Sequence, residues 1–257
     1  VTRIIKIGGR VQTDARLPMA IAEAQRALIS GLVVVHGGGD EISALMRTLG
    51  HEPRFVGGRR ATTTEELDIV RMVLSGTSNK RLVAACASIG VRAVGISGED
   101  GGLLNAHVAP GAPIGRVGER ITADPRVLHD LIATGWLPVV SPVGRDADAT
   151  DASPLNLNGD DAATAIAVAM QATELVFVAD VPGVLIDGVP VATLYYDDAN
   201  DLIERGIAAG GMAAKIEAAR NALAHGVGRV RIGDLSTLTD PASGTTLLPR
   251  TSAGKRS

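Results

Sequence analysis

Short apolar runs alternate with stretches of helical periodicity along the whole of this 257-residue chain, and that alternation limits the available folds more than any other feature. The runs Arg3 to Ile7, Leu32 to Val35, Ala93 to Ile96, Leu137 to Val140, Leu175 to Val178 and Arg229 to Ile232 read as buried strands. Pro18 to Ser30, Asp40 to Leu49, Thr64 to Ile89, Asp124 to Thr134, Asp160 to Met170 and Met212 to His225 read as helices between them. Parallel neighbours need long crossovers, and the helices supply them. The expectation is an α/β fold, a three-layer αβα sandwich whose central, mainly parallel sheet is covered on both faces.

Two stretches break the rhythm. Leu103 to Ile121 carries Pro110, Pro113 and several glycines among β-like pieces, which predicts a hairpin or lid over a pocket. Gly144 to Asn158 is polar and turn-rich, with Asp146, Asp148 and Asp151, and predicts a lobe junction near residue 150 with no packed element of its own. No Ser/Gly linker separates the halves, so the expected organisation is two lobes, 1–150 and 151–257, sharing one sheet.

Composition removes several function classes. A formal net charge of −3 gives no basic face for nucleic acid, and no run approaches the roughly twenty apolar residues of a membrane span. The amino-terminal residues pass directly into Lys6 and Gly8-Gly9, which predicts no signal peptide, and the lone Cys86 asks for no oxidising compartment; a cytoplasmic protein is expected. One cysteine and five scattered histidines offer no zinc spacing. Neither a P-loop nor a G-x-G-x-x-G dinucleotide turn occurs in its required context.

Of 25 basic residues only four are lysines, Lys6, Lys80, Lys215 and Lys255, and 21 are arginines. Where arginine is the default cation, a retained lysine marks a position suited to a compact point charge. Lys255 sits in a polar tail and reads as solvated.

Lys6 precedes Gly8-Gly9 at a strand end, where ligands of α/β sheets collect and where glycines let backbone N–H groups approach an anion. Val33-Val34-Val35-His36 feeds Gly37-Gly38-Gly39 and then a helix, an anion cradle of the same kind, with His36 as a structural residue. Gly57-Gly58-Arg59-Arg60 offers a guanidinium for a carboxylate. Capping accounts for Asn158 or Asp160 in Asn156-Leu157-Asn158-Gly159-Asp160, but not for Asn156. Asp180 to Leu185 turns sharply after a strand, and Gly210-Gly211 opens a helix that carries Lys215 about one turn in. Taken singly, the first turn also fits an ordinary βα connection and the arginine pair a solvated loop.

In this order, Lys6-Ile7-Gly8-Gly9, His36-Gly37-Gly38-Gly39, Ser78-Asn79-Lys80, Asn156 to Asp160, Asp180 to Val184 and Gly210 to Lys215 resemble the amino acid kinase family over nearly the whole chain, and within it the branch that phosphorylates N-acetylglutamate. The resemblance implies transfer of a phosphoryl group from ATP to the γ-carboxylate of N-acetyl-L-glutamate, the second step of arginine biosynthesis. It implies an N-terminal lobe for the acyl acceptor and for dimerisation, and a C-terminal lobe for ATP. Lys6 and Lys215 would stabilise the transition state, Asp160 would hold both ammoniums, and Gly9 and Gly38 would supply N–H groups. Arg60 and Asn156, with Gly38 and Gly39, would bind acetylglutamate. Asp180, Val181, Pro182, Gly183, Val184 and Leu185, with Ile207, Ala208 and Ala209, would line the nucleotide pocket. Mg²⁺ would bridge the phosphates, with no protein ligand assigned. The Thr64 to Ile89 helix lies at the dimer interface in the family, which gives Lys80 a structural or interface role. Neither nucleic acid nor membrane is an expected partner, and docking of a nitrogen-signalling protein stays open.

Departures accompany the resemblance. Members commonly carry a basic residue at the position of Glu99, Asp-Gly where this chain has Gly233-Asp234, and Gly-Leu-Arg-Val-Thr where it has Gly58-Arg59-Arg60-Ala61-Thr62. The last leaves open which arginine meets the substrate. Arginine-inhibited members resemble hexamers built through an extra N-terminal helix; with the first strand beginning at about residue 3, the expectation is a homodimer without strong arginine feedback. The alternatives are a carrier-linked aminoadipate or glutamate kinase of the same fold, and a catalytically silent ligand sensor. Gly39 and Asn156 favour acetylglutamate over the carrier-linked branch, and the paired lysines favour an enzyme over a sensor.

Overall fold

The structure, a computed structural model, describes residues 2–27, 31–110 and 114–249. Lys255, Pro113 and the expected helix end at Ser30 lie outside the described residues. The first half runs β1 (Thr2–Ile7), α1 (Leu17–Arg26), β2 (Gly31–His36), α2 (Gly39–Thr48), β3 (Arg54–Val56), β4 (Arg59–Ala61), α3 (Thr64–Arg71), α4 (Asn79–Ala87), β5 (Ala93–Ser97), β6 (Leu104–Val108), β7 (Gly118–Ala123), α5 (Arg126–Ala133), β8 (Leu137–Ser141) and β9 (Val143–Asp146). The second half runs β10 (Pro154–Asn156), α6 (Gly159–Ala169), β11 (Glu174–Val178), β12 (Leu185–Ile186), β13 (Val189–Pro190), β14 (Thr193–Tyr195), α7 (Tyr196–Glu204), α8 (Gly210–Ala224), β15 (Arg229–Gly233) and β16 (Thr245–Leu248).

All six expected strands enter one eight-stranded sheet, in the order β14-β16-β15-β11-β1-β2-β8-β5. Its inner pairs are parallel, and β16 runs antiparallel to β15. Strands from before and after residue 150 meet where β1 pairs with β11. Alternate residues explain the layers. Ile4, Val33, Val35, Leu175 and Phe177 pack on one face with residues of α6 and α8, while Ile5, Ile7, Val34, Val176 and Val178 pack on the other with α1 and α4. Lys6 belongs to the α6/α8 face, one step beyond Ile4, and it is there that its charge must be met.

Three expectations need correction. The 144–158 stretch is not elementless: β9 and β10 pair antiparallel within it, and with β6 and β7 they form a second sheet, β10-β9-β6-β7. Backbone pairing makes these strands despite their polar composition, and Arg116 neutralises the buried Asp146 at 3.1 Å. The 103–121 stretch does form a hairpin, β6 against β7. The Thr64–Ile89 helix ends at Ala87 and is interrupted at Met72–Ser78 by a π-helical segment, a distortion typical of functional surroundings. Finally, α7 had no counterpart among the expected helices, because its acidic first turn, Asp197 and Asp198, hides the buried Ala199 and Leu202.

Candidate active site

Asp160 organises the crevice at the carboxyl end of the sheet. Asn158 caps α6 by accepting hydrogen bonds from Asp160 N at 2.8 Å and Asp161 N at 3.2 Å, which pins the first turn and turns the Asp160 carboxylate back toward β1. There Asp160 Oδ1 lies 2.7 Å from Lys6 Nζ and Oδ2 lies 3.4 Å from Lys215 Nζ. Lys215 projects from the second turn of α8 toward that helix's N-terminus, as helical side chains do. Gly159 leaves room for the Lys6 stem, since a Cβ there would stand 3.3 Å from Lys6 Cε. Burial pushes the Asp160 carboxyl up, but the two ammoniums outweigh it and hold it below the usual carboxylate range.

Both glycine turns close on this cluster. Gly8 N donates to Val178 O at 2.9 Å and Gly37 N to Ile7 O at 3.1 Å, so both turns continue the sheet ladder. A Cβ on Gly9 would lie 3.8 Å from the Gly38 and Gly39 nitrogens, which measures how nearly the two backbones touch. Gly38 is under tighter constraint, because a Cβ there would come 2.8 Å from Leu74 Cδ2 in the π segment. His36, fully buried, donates from Nδ1 to Gly37 O at 2.8 Å and accepts at Nε2 from Asn79 at 3.1 Å, and burial lowers its pKa to about 4. It is a neutral prop. The Ser78-Asn79-Lys80 motif supports the same cradle: Ser78 donates to Glu41 at 2.7 Å, Asn79 to Val139 O at 2.9 Å, and Lys80 to Gly95 O at 2.8 Å.

On the N-terminal side a cavity is lined by Gly38, Gly39, Arg59, Arg60, Asn156 and Gly159, among others. Arg60 is 7% exposed, stacks 4.7 Å from the Phe55 ring centre, and donates to Gly39 O and Ser43 Oγ, both at 2.7 Å. Burial lowers its pKa, and among the described residues no carboxylate forms an ion pair with it. Arg59, by contrast, pairs with Asp161 at 3.3 Å and Glu119 at 3.6 Å. The two arginines thus differ in that Arg59 is paired with carboxylates and Arg60 is held on neutral acceptors. Asn156 is buried and donates to Thr62 Oγ1 at 2.9 Å.

The nucleotide candidates are less well gathered. Asp180 shares a second cavity with Lys6, Gly9, Gly39 and Lys215, and accepts from Arg10 at 3.0 Å. Val184 and Ala208 are core side chains, so neither offers its side chain to a pocket. Gly183 is buried and Val181 half-buried, while Pro182, Leu185, Ile207 and Ala209 are exposed. Arg10, Thr62 and Asp161 were missed from sequence; the acid beside Asp160 and the basic residue straight after Gly8-Gly9 were the available signals.

A crevice of this kind is built to bring two anions together, which defines an α/β phosphotransferase. The amino acid kinase family profile matches residues 2–234, and the chain belongs to that family. An acetylglutamate kinase from Chloroflexus aurantiacus is 43% identical over 239 residues, covering 92% of this chain and 93% of the relative. One from Geobacillus kaustophilus is 43% identical over 233 residues, covering 90% and 89%. A crystal structure from Streptococcus mutans superposes with a TM-score of 0.86 at 27% identity, covering 96% of this chain and 98% of that one.

Proposed function

We propose that the chain transfers the γ-phosphoryl group of ATP to the γ-carboxylate of N-acetyl-L-glutamate, giving N-acetyl-L-glutamyl 5-phosphate in arginine biosynthesis. The observation that carries this reading is a buried guanidinium without an acid partner, Arg60, in a cavity adjoining the Lys6–Asp160–Lys215 cluster. A carboxylate of the acceptor supplies the charge Arg60 lacks. Full-length relatives named acetylglutamate kinase support that choice of acceptor.

The chemistry follows from charge. An acceptor carboxylate is already ionised at neutral pH, so an oxygen lone pair attacks the γ-phosphorus without a general base, and the bond to the β,γ-bridging oxygen breaks to release ADP. His36, neutral and enclosed, fits a site that moves no proton. What the site must do is offset negative charge spreading over the transferring oxygens. Lys6 from β1 and Lys215 from α8 do so from two lobes, Asp160 keeps both in place, and the Gly9 and Gly38 turns offer N–H groups. Asn156 orients the acceptor beside Arg60.

Mg²⁺ bound with the nucleotide would supply charge neutralisation on its phosphates. Asp160 is committed to two ammoniums, so it is not the residue assigned to hold that ion. No described helix is long and apolar enough to cross a membrane.

Acyl phosphate formation, trapped as the hydroxamate, tests the acceptor. Turnover with N-acetyl-L-glutamate and none with glutamate, aspartate, N-acetylaspartate or carbamate is expected; turnover confined to another acceptor, or none at all, contradicts the proposal.

A further inference from the structure

We propose that Arg10 is a phosphate ligand for the nucleotide, held on two carboxylates until the nucleotide displaces them. This deepens the reading above and rests on phosphoryl transfer taking place in this crevice.

Arg10 is the first residue after Gly8-Gly9, and it lines the cavity that also holds Lys6, Gly9, Gly39 and Lys215. Its Nη1 lies 3.0 Å from Asp180 Oδ2, beyond β11, and its Nε 3.7 Å from Asp40 Oδ2, on α2. The guanidinium therefore spans the mouth of the crevice between the segments that follow β1, β2 and β11.

The two lysines are held differently. Lys6 and Lys215 are buried on Asp160, whose carboxylate already offsets part of their charge. Arg10 is 75% exposed, and its partners Asp40 and Asp180 are 81% and 52% exposed, so water and salt screen these pairs and little holds them together. A nucleoside triphosphate entering this cavity meets two carboxylates that repel it, and it needs a cation free to turn toward it. A guanidinium fits that need, because its planar fork donates two parallel hydrogen bonds to phosphate oxygens. Exchange of Asp180 for phosphate also opens the strap across the entrance.

Binding of Mg·ADP and of a non-hydrolysable Mg·ATP analogue, measured by calorimetry without acceptor, tests this. Arg10→Ala is expected to weaken both about tenfold, with Arg10→Lys in between and acetylglutamate affinity within about twofold of the parent. To separate phosphate binding from mere masking of the two acids, the same substitution is repeated in an Asp40→Asn/Asp180→Asn background. The proposal expects the loss to persist there. Unchanged nucleotide affinity in Arg10→Ala, or a loss that vanishes in the neutralised background, overturns it. Because nucleotide affinity is read alone, an acceptor other than acetylglutamate would leave this result intact.

Discussion

Two buried carboxylates, each ringed by cations, sit at opposite ends of the same strands and serve different ends. At the carboxyl end Asp160 meets Lys6 and Lys215. At the amino end Glu174, 2% exposed, meets Arg3, Arg229 at 2.8 Å and Arg231 at 3.0 Å, since parallel register brings the first residues of β1, β11 and β15 side by side. The Arg231 fork is spent on carbonyls as well, those of Asp240, Ser243 and Thr237. The buried Arg231 is thereby spent on protein partners, and of the three arginines only the side chain of Arg229, 48% exposed, reaches well into solvent. The lysine cluster instead borders a cavity between two glycine turns, and each ammonium carries three donors of which Asp160 takes few. A buried charge cluster is therefore no sign of catalysis by itself, and the role proposed for the two lysines rests on their spare donors and on the cavity beside them.

Substitutions should break the two clusters in different ways. The largest effect is expected for Lys6→Ala, which should lower kcat per folded molecule about a thousandfold, as removal of a preorganised transition-state donor does, beyond whatever stability is lost with the buried pair to Asp160. A loss of folding with kcat per folded molecule preserved would reverse the assignment. Glu174→Ala should do just that: leave buried guanidiniums unpaired, cost about 3 kcal/mol of stability in denaturant titration, and keep kcat. Lys6→Arg sharpens the comparison, because a broad fork cannot replace a point charge between Asp160 and a phosphate, and a drop of about tenfold or more in kcat is expected. An effect seen only against pH concerns His36, which folding keeps neutral by lowering its pKa from 6.5 to about 4. The unfolded chain then binds more protons across that window, so His36 stability is complete above about pH 6.5 and is lost as pH falls toward 4. Stability measured against pH should decline less steeply over that range in His36→Asn.

The Asp160 cluster was legible in sequence because glycines frame each contributor: Lys6 before Gly8-Gly9, Asp160 after Gly159, and Lys215 after Gly210-Gly211. The Glu174 cluster was not, since a lone glutamate opening an apolar strand looks like an edge residue until register places three arginines around it. The same limit applies to Arg59 and Asp161, whose partnership spans 102 positions. The six central strands were legible from apolar runs. Both β9 and β10 escaped, because their pairing is carried by backbone and their side chains are polar at the ends.

On the proposed mechanism the paired lysines act on the transition state more than on bound substrate. The direct test is kcat, with the dissociation constant of acetylglutamate, for Lys215→Ala. A fall in kcat of about a hundredfold or more with binding within about twofold is predicted; equal losses in the two would show that Lys215 only holds substrate, and would contradict the account.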